Sequence, residues 1–161
     1  MATLSKLGSE WRVIFEFKPT EYVNGHPGGY TSLLHLTIGG DNSQHGDRTP
    51  AIFFNPRFGI YICSTVGQDY DYCQNSSPLR PTPGIWTEIK IGQRENGNRL
   101  SYYISVAGKE MHSVINNEPR EFTDVKAYIS DPWHTPQPGF IRNLSIESRL
   151  EGELRITCRL V

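Results

Sequence analysis

Across residues 85–148, apolar and polar side chains alternate, and the alternation resumes after every interruption. The regular blocks are 85–93, 100–107, 110–115, 121–129 and 140–148. Between them lie Glu95-Asn96-Gly97-Asn98, Ala107-Gly108-Lys109 and an elbow, 130–139, stiffened by Pro132, Pro136 and Pro138. A period of two sends successive side chains to opposite faces, so each block reads as a strand with one dry and one wet side. An amphipathic helix needs apolar residues three and four apart, and no segment sustains that spacing. The chain is therefore expected to be all-β.

The earlier residues follow the same rule. Trp11, Val13, Phe15 and Phe17 share one face of a strand, with Arg12, Ile14 and Glu16 opposite. In 31–38, Leu34, Leu36 and Ile38 oppose Leu33, His35 and Thr37. Segments 49–54 and 59–63 read as strands joined by Asn55-Pro56-Arg57-Phe58, a turn with Pro at its second position. Residues 22–30, 39–48, 67–72 and 78–84 are rich in Gly, Pro, Asn and Asp and read as loops. Leu144 and Ile146, then Leu154, Ile156, Cys158 and Leu160, supply closing strands. About ten to eleven strands in 161 residues fit one domain, 1–161, built as a two-sheet antiparallel jelly-roll sandwich. Trp11 and Trp86 are expected to anchor its core.

Lys and Arg number 16 against 17 Asp and Glu, so bulk charge gives no reason to expect nucleic acid or an anionic membrane as partner. No apolar run reaches the roughly 20 residues of a membrane span, and the first residues lack the apolar core of a signal peptide. Cys63 and Cys73 would close a disulfide if neighbouring strands bring their Cα atoms within about 7 Å. The alternative is three unlinked thiols, with Cys158, in a reducing compartment. Sequons at Asn75 and Asn143 fit an extracellular setting, with a cytoplasmic one as the alternative.

Loops held on a rigid sheet are where recognition concentrates. The polar loop 39–48 offers Asp41, Asn42, His45, Asp47 and Arg48, with His35 on the strand before it. Trp133, in the Pro-stiffened elbow, adds an aromatic face that orders at little entropic cost. Such short polar groups beside an aromatic ring suit a sugar, whose hydroxyls need donors and acceptors and whose C–H face needs a ring. Hydrolysis is not expected. Glu16, Glu88 and Glu147 stand singly in their strands, and there is no Gly-x-Ser-x-Gly, His-Glu-x-x-His or phosphate loop.

Three runs carry a family likeness: Ile85-Trp86-Thr87-Glu88-Ile89-Lys90-Ile91, Tyr103-Ile104-Ser105-Val106-Ala107-Gly108-Lys109, and Asp131-Pro132-Trp133 with Gly139-Phe140-Ile141-Arg142-Asn143-Leu144. Together they resemble the second half of laminin-G-like domains, within the concanavalin A-like lectin and glucanase superfamily. The resemblance implies ligands, usually glycans, on the concave sheet or its rim loops. Phe54-Asn55-Pro56-Arg57-Phe58, with Ile62-Cys63-Ser64 and Trp86-Thr87-Glu88-Ile89-Lys90, is similar to the galectin sugar-binding run, His-x-Asn-x-Arg, Asn and Trp-x-x-Glu-x-Arg. In that reading Phe54 takes the place of the His, Ser64 that of the second Asn, and Lys90 falls one short of the last Arg.

The galectin likeness implies a galactose-type sugar bound through Asn55 and Arg57. Superfamily relatives often carry calcium, and Asp69 and Asp71 are the pair a hard cation would take. The lack of an EF-hand pattern and the nearby tyrosines point instead to a contact surface, so no cofactor is expected. The expectation is a non-catalytic lectin for a glycan or glycoprotein, with edge-strand dimerisation as a route to multivalency. The alternative is an adhesion module that docks a protein on Tyr70, Tyr72 and Trp133.

Overall fold

A computed structural model describes residues 1–23, 29–149 and, as a strand only, 156–160. Two six-stranded antiparallel sheets pack face to face. The first has the order β1 (Ala2–Leu7), β10 (Phe122–Ile129), β3 (Thr31–Thr37), β4 (Ala51–Asn55), β5 (Gly59–Val66), β6 (Asp69–Asn75). The second runs β12 (Ile156–Leu160), β11 (Gly139–Arg149), β2 (Glu10–Pro19), β7 (Thr87–Asn96), β8 (Arg99–Val106), β9 (Lys109–Asn116).

The alternation in the sequence becomes the core directly. In β2, Trp11, Val13, Phe15 and Phe17 are buried, while the residues between them are only partly covered. Leu34, Leu36, Ile52, Phe54, Ile60 and Ile62 meet them from the first sheet, with Ile89, Ile91 and Tyr102 from the second. The tight turns use the residues that can take their backbone geometry. Gly97 (φ 63°) opens the two-residue β7–β8 turn, with Asn96 paired to Arg99, and Ala107-Gly108 (φ 52° and 75°) closes β8–β9.

The structure departs from expectation in four places. The described residues form twelve strands, because Ala2–Leu7 pairs with β10 and Asp69–Asn75 pairs with β5. Residues 69–72 of the second of these were expected as part of a loop. Its polar side chains belong to a half-exposed edge strand, and Cys73 lies directly opposite Cys63 on β5. Trp86 lies half-exposed just before β7 and so is not a core anchor, whereas Trp11 is. Every residue of β3 and β4 is buried, so the first sheet has no wet face there. Most of the predicted loop 22–30, together with Leu154, falls outside the described residues.

What covers the first sheet decides where a ligand can bind. Loop 39–48 crosses back over β3, with Leu36 and Pro50, Ile38 and Gly46 joined by backbone bonds of 2.8 and 3.0 Å. The elbow 130–137 runs along the same strand, bonded to it through Ser130, Thr135 and Gln137. Among the described residues that outer face stays partly open on either side of this cover, toward β6 and over β1 and β10.

Cys63 and Cys73 form a disulfide that ties edge strand β6 to β5. Closing so short a loop restricts the unfolded chain, so reduction, or Cys63→Ser with Cys73→Ser, should lower unfolding stability by about 2–3 kcal/mol in denaturant titrations. An unchanged midpoint would mean that β6 is held without the bond.

Candidate functional site

The elbow is fixed to the sheet by one buried carboxylate. Asp131 accepts hydrogen bonds from Ser32 Oγ (2.9 Å), His35 Nδ1 (3.0 Å), the Trp133 and His134 backbone N–H groups (3.0 and 2.8 Å) and His134 Nδ1 (3.0 Å). Its own N–H is given to Ser32 Oγ at 3.1 Å. Burial would raise this carboxyl's pKa, but the hydrogen bonds and charge of His134 and His35 override it and hold the group far below the usual carboxylate range. The bond to Asp131 in turn raises His134 above its ordinary value of 6.5, against the opposing effect of burial.

His35 is fully buried and joins the elbow to loop 39–48. Its Nε2 meets the Asp47 carbonyl at 2.7 Å, so both ring nitrogens face acceptors. The ring thus bridges the elbow and the loop from a single buried position. Asp47, 1% exposed, then folds its own loop by accepting from the N–H groups of Gly40, Ser43 and Gln44 at 3.1, 2.8 and 3.1 Å. Gly40 is required there, since a Cβ would sit 2.5 Å from the Asp47 carboxylate.

On this framework lies a shallow face over β4–β6. Arg48 reaches across it, its Nη1 2.7 Å from Asp71 Oδ1, while Nε and Nη2 bond the Asp41 carbonyl and carboxylate, each at 3.1 Å. The guanidinium is only 8% exposed and rests 5.1 Å from the centre of the Phe53 ring. The two carboxylates remain about one-third exposed, at 29% and 30%. Around them stand the half-buried Tyr30 and Tyr61 rings, 4.8 Å apart, with His134 4.7 Å from Phe53 and the disulfide as floor. Loop and strand thus present outward-facing carboxylate acceptors beside aromatic surface.

The predicted site residues divide between this face and its supports. Asp41 and Arg48 belong to the face, and Trp133, 41% exposed, stands at its rim with its ring 5.3 Å from His35. His35 and Asp47 are buried supports that no ligand reaches without rearrangement. Asn42 is exposed in the loop, and His45 packs edge-on against Tyr70 at 6.1 Å. Asn55 and Arg57 are elsewhere. Asn55 is buried, bonding the Gly29 carbonyl and the Arg57 and Phe58 N–H groups, and Arg57 projects from that turn beside Phe58.

The galectin-like set is therefore not assembled. Spacing from Asn55 and Arg57 puts Phe53, not Phe54, at the motif's His position, and Trp86 and Glu88 lie on the opposite sheet. Tyr72 is also no surface anchor, for its ring packs on the core near Tyr102 and its hydroxyl meets His112 Nε2 at 3.0 Å. Asp69 accepts the Asp71 N–H at 2.8 Å and Asp71 is turned to Arg48, so the two do not present a free carboxylate pair to calcium.

Sequence reasoning missed Phe53, Tyr30, Tyr61 and the centring role of Asp131, and considered Asp71 only as a partner of Asp69 for a cation and not of Arg48. The signal for Asp131 was present in Asp-Pro-x-His, an acceptor placed to bond the two N–H groups that follow Pro132. Asp71 and Tyr61 depend on strand pairing that local sequence does not reveal. A recess of about 720 Å³ lies at one end of the sandwich, between Glu10, Gly97, Asn116 and Arg149. Among the described residues its lining has no aromatic ring, and Arg149 is engaged there by Glu10 and Glu95.

Asp131→Asn should bring the His134 NMR titration midpoint down toward 6.5 and cost about 3–5 kcal/mol of stability, because a buried ionic network loses its centre. A raised folded pKa stabilises below the unfolded value and is lost as pH rises through the folded one. A depressed carboxylate stabilises above its ordinary 3.8 and is lost as pH falls through its folded value. The contribution of this pair should therefore be greatest between about 4 and 6.5, and His134→Ala should flatten the fall on the alkaline side. A wild-type slope in the variant would assign that pH dependence to other groups.

No family model matches the chain, and no curated protein matches it. Among solved structures it is similar to the CBM40 module of the Ruminococcus gnavus IT-sialidase, bound to α2,3-sialyllactose. Identity is 12% over 83% of this chain and 71% of that one, with a TM-score of 0.54. Sheep galectin-11 in complex with glycerol aligns at 14% identity over 87% and 94% of the two chains, with a TM-score of 0.44. With two antiparallel sheets in this order, the chain shares the two-sheet jelly-roll fold of that CBM40 module.

Proposed function

We propose that the protein is a glycan-binding module without catalysis, whose ligand lies on the β4–β6 face of the first sheet. The observation that carries this is Arg48 held between Asp41 and Asp71 on the Phe53 ring, with Tyr30, Tyr61 and His134 around it. The partly exposed carboxylates accept from sugar hydroxyls, and the rings give the C–H face a surface to pack on. One cation against two carboxylates favours a neutral sugar over a sialylated or sulfated one. A glycoprotein glycan fits this description as well as a free oligosaccharide.

The carboxylates a hydrolase would need are committed elsewhere. Glu16, Glu88 and Glu147 all lie on the second sheet, paired with Arg142, Lys90 and Arg12. We also infer an extracellular setting, from the Cys63–Cys73 disulfide and the exposed sequon residues Asn75 and Asn143.

Screening on a glycan array, with and without chelator, should find neutral glycans bound in both conditions. Arg48→Ala or Asp71→Asn should weaken that binding by about 1–3 kcal/mol each through hydrogen bonds left unmade. Asp47→Ala should weaken it together with a loss of thermal stability, because it acts through its loop. Silence across neutral glycans, or an Arg48→Ala affinity equal to wild type, would contradict the reading.

A further inference from the structure

The end of the sandwich where β2 finishes and β7 and β11 begin carries a second, unrelated surface. Ile85 and Phe140 are 59% and 55% exposed, and Phe58, at the β4–β5 turn, is 39% exposed. A chain of backbone and side-chain bonds shows that these separate turns share one end. Arg80 bonds the Pro56 carbonyl beside Phe58, Tyr22 Oη bonds the Pro81 carbonyl at 3.0 Å, and Gly84 N–H bonds Pro19 at 2.8 Å. Thr20 N–H bonds Pro138 at 3.2 Å, next to Phe140.

Cations accompany the apolar groups. Lys18 Nζ sits between two rings, 4.9 Å from the centre of Trp86 and 5.0 Å from that of Phe140. Arg57 flanks Phe58, and Arg80 is exposed beside the same turn. Among the described residues these three have no acidic partner. Nearby Glu16 and Glu88 are taken by Arg142 and Lys90, which leaves Glu21 as the opposing charge. A chain of net charge -1 thus concentrates positive charge at one tip.

We propose that this tip docks on an anionic lipid surface. The apolar side chains come from separate turns along a rim and do not form one concave patch. A bilayer interface accepts such a rim because it demands no matching shape, whereas a protein partner would need one. Aromatic and aliphatic groups enter the headgroup boundary while Lys and Arg stay at phosphate level, and the charge complements an acidic leaflet. The glycan face, on the outer side of the first sheet and not at this end, is left uncovered.

The test is cosedimentation of the whole chain with vesicles of phosphatidylcholine alone or with about a third phosphatidylserine. Binding is expected only to the acidic vesicles, falling at high salt. Lys18→Glu with Arg80→Glu should weaken it about fivefold or more for each charge, and Ile85→Ser with Phe140→Ser at least tenfold, both with melting temperatures at the wild-type value. A blue shift of tryptophan fluorescence on acidic vesicles, lost in Trp86→Phe, should accompany binding. No sedimentation with either vesicle, equal binding to both, or variants that sediment like wild type would overturn the proposal. So would Lys18-dependent binding of a soluble acidic protein or glycan in place of vesicles.

Discussion

The Asp131 carboxylate is the interaction on which the functional face depends. It collects bonds from β3, through Ser32 and His35, and from its own elbow, through the N–H groups of Trp133 and His134. A buried carboxylate is costly unless each acceptor site is used, and here two imidazole rings, a serine hydroxyl and backbone donors satisfy it. Through His35 the same group reaches the Asp47 carbonyl and so positions loop 39–48. Elbow and loop, 84 residues apart as measured from Asp47 to Asp131, become two walls of one surface.

This coupling explains why β3 and β4 are wholly buried in a sheet that an alternating pattern would leave half wet. Covering these strands leaves the sheet open on either side, and on the β6 side Arg48 and Asp71 meet. The second sheet keeps an exposed outer face and fills it with cross-strand ion pairs and Trp86, flanked by Lys18 and by Arg142 at 4.1 Å. Recognition of a glycan on one side and contact with a surface at one end are geometrically separate.

The fold was legible because strand alternation is a local property: Trp11 to Phe17 and Ile89 to Ile91 point inward as their spacing requires. The edge strand Asp69–Asn75 was not, since its polar residues are those of a loop and only pairing with β5 makes it a strand. At the site, Asp41 and Arg48 could be read because they share a short loop. Their partner Asp71 arrives from a strand 23 residues beyond Arg48. His35 and Asp47 have the chemistry of ligand-binding residues, and only their burial shows that they support others. Net charge concealed the cationic tip, because the acidic residues that balance it lie elsewhere on the molecule.

The most direct measurement is backbone and side-chain NMR shift mapping of the protein during titration with a neutral oligosaccharide selected on the array. The largest changes should fall on Tyr30, Phe53, Tyr61, Asp71, His134 and the Arg48 Nε–H, with Trp86 and Phe140 unmoved. Shifts concentrated on the outer face of the second sheet, or in the recess beside Arg149, would contradict the placement of the site on the first.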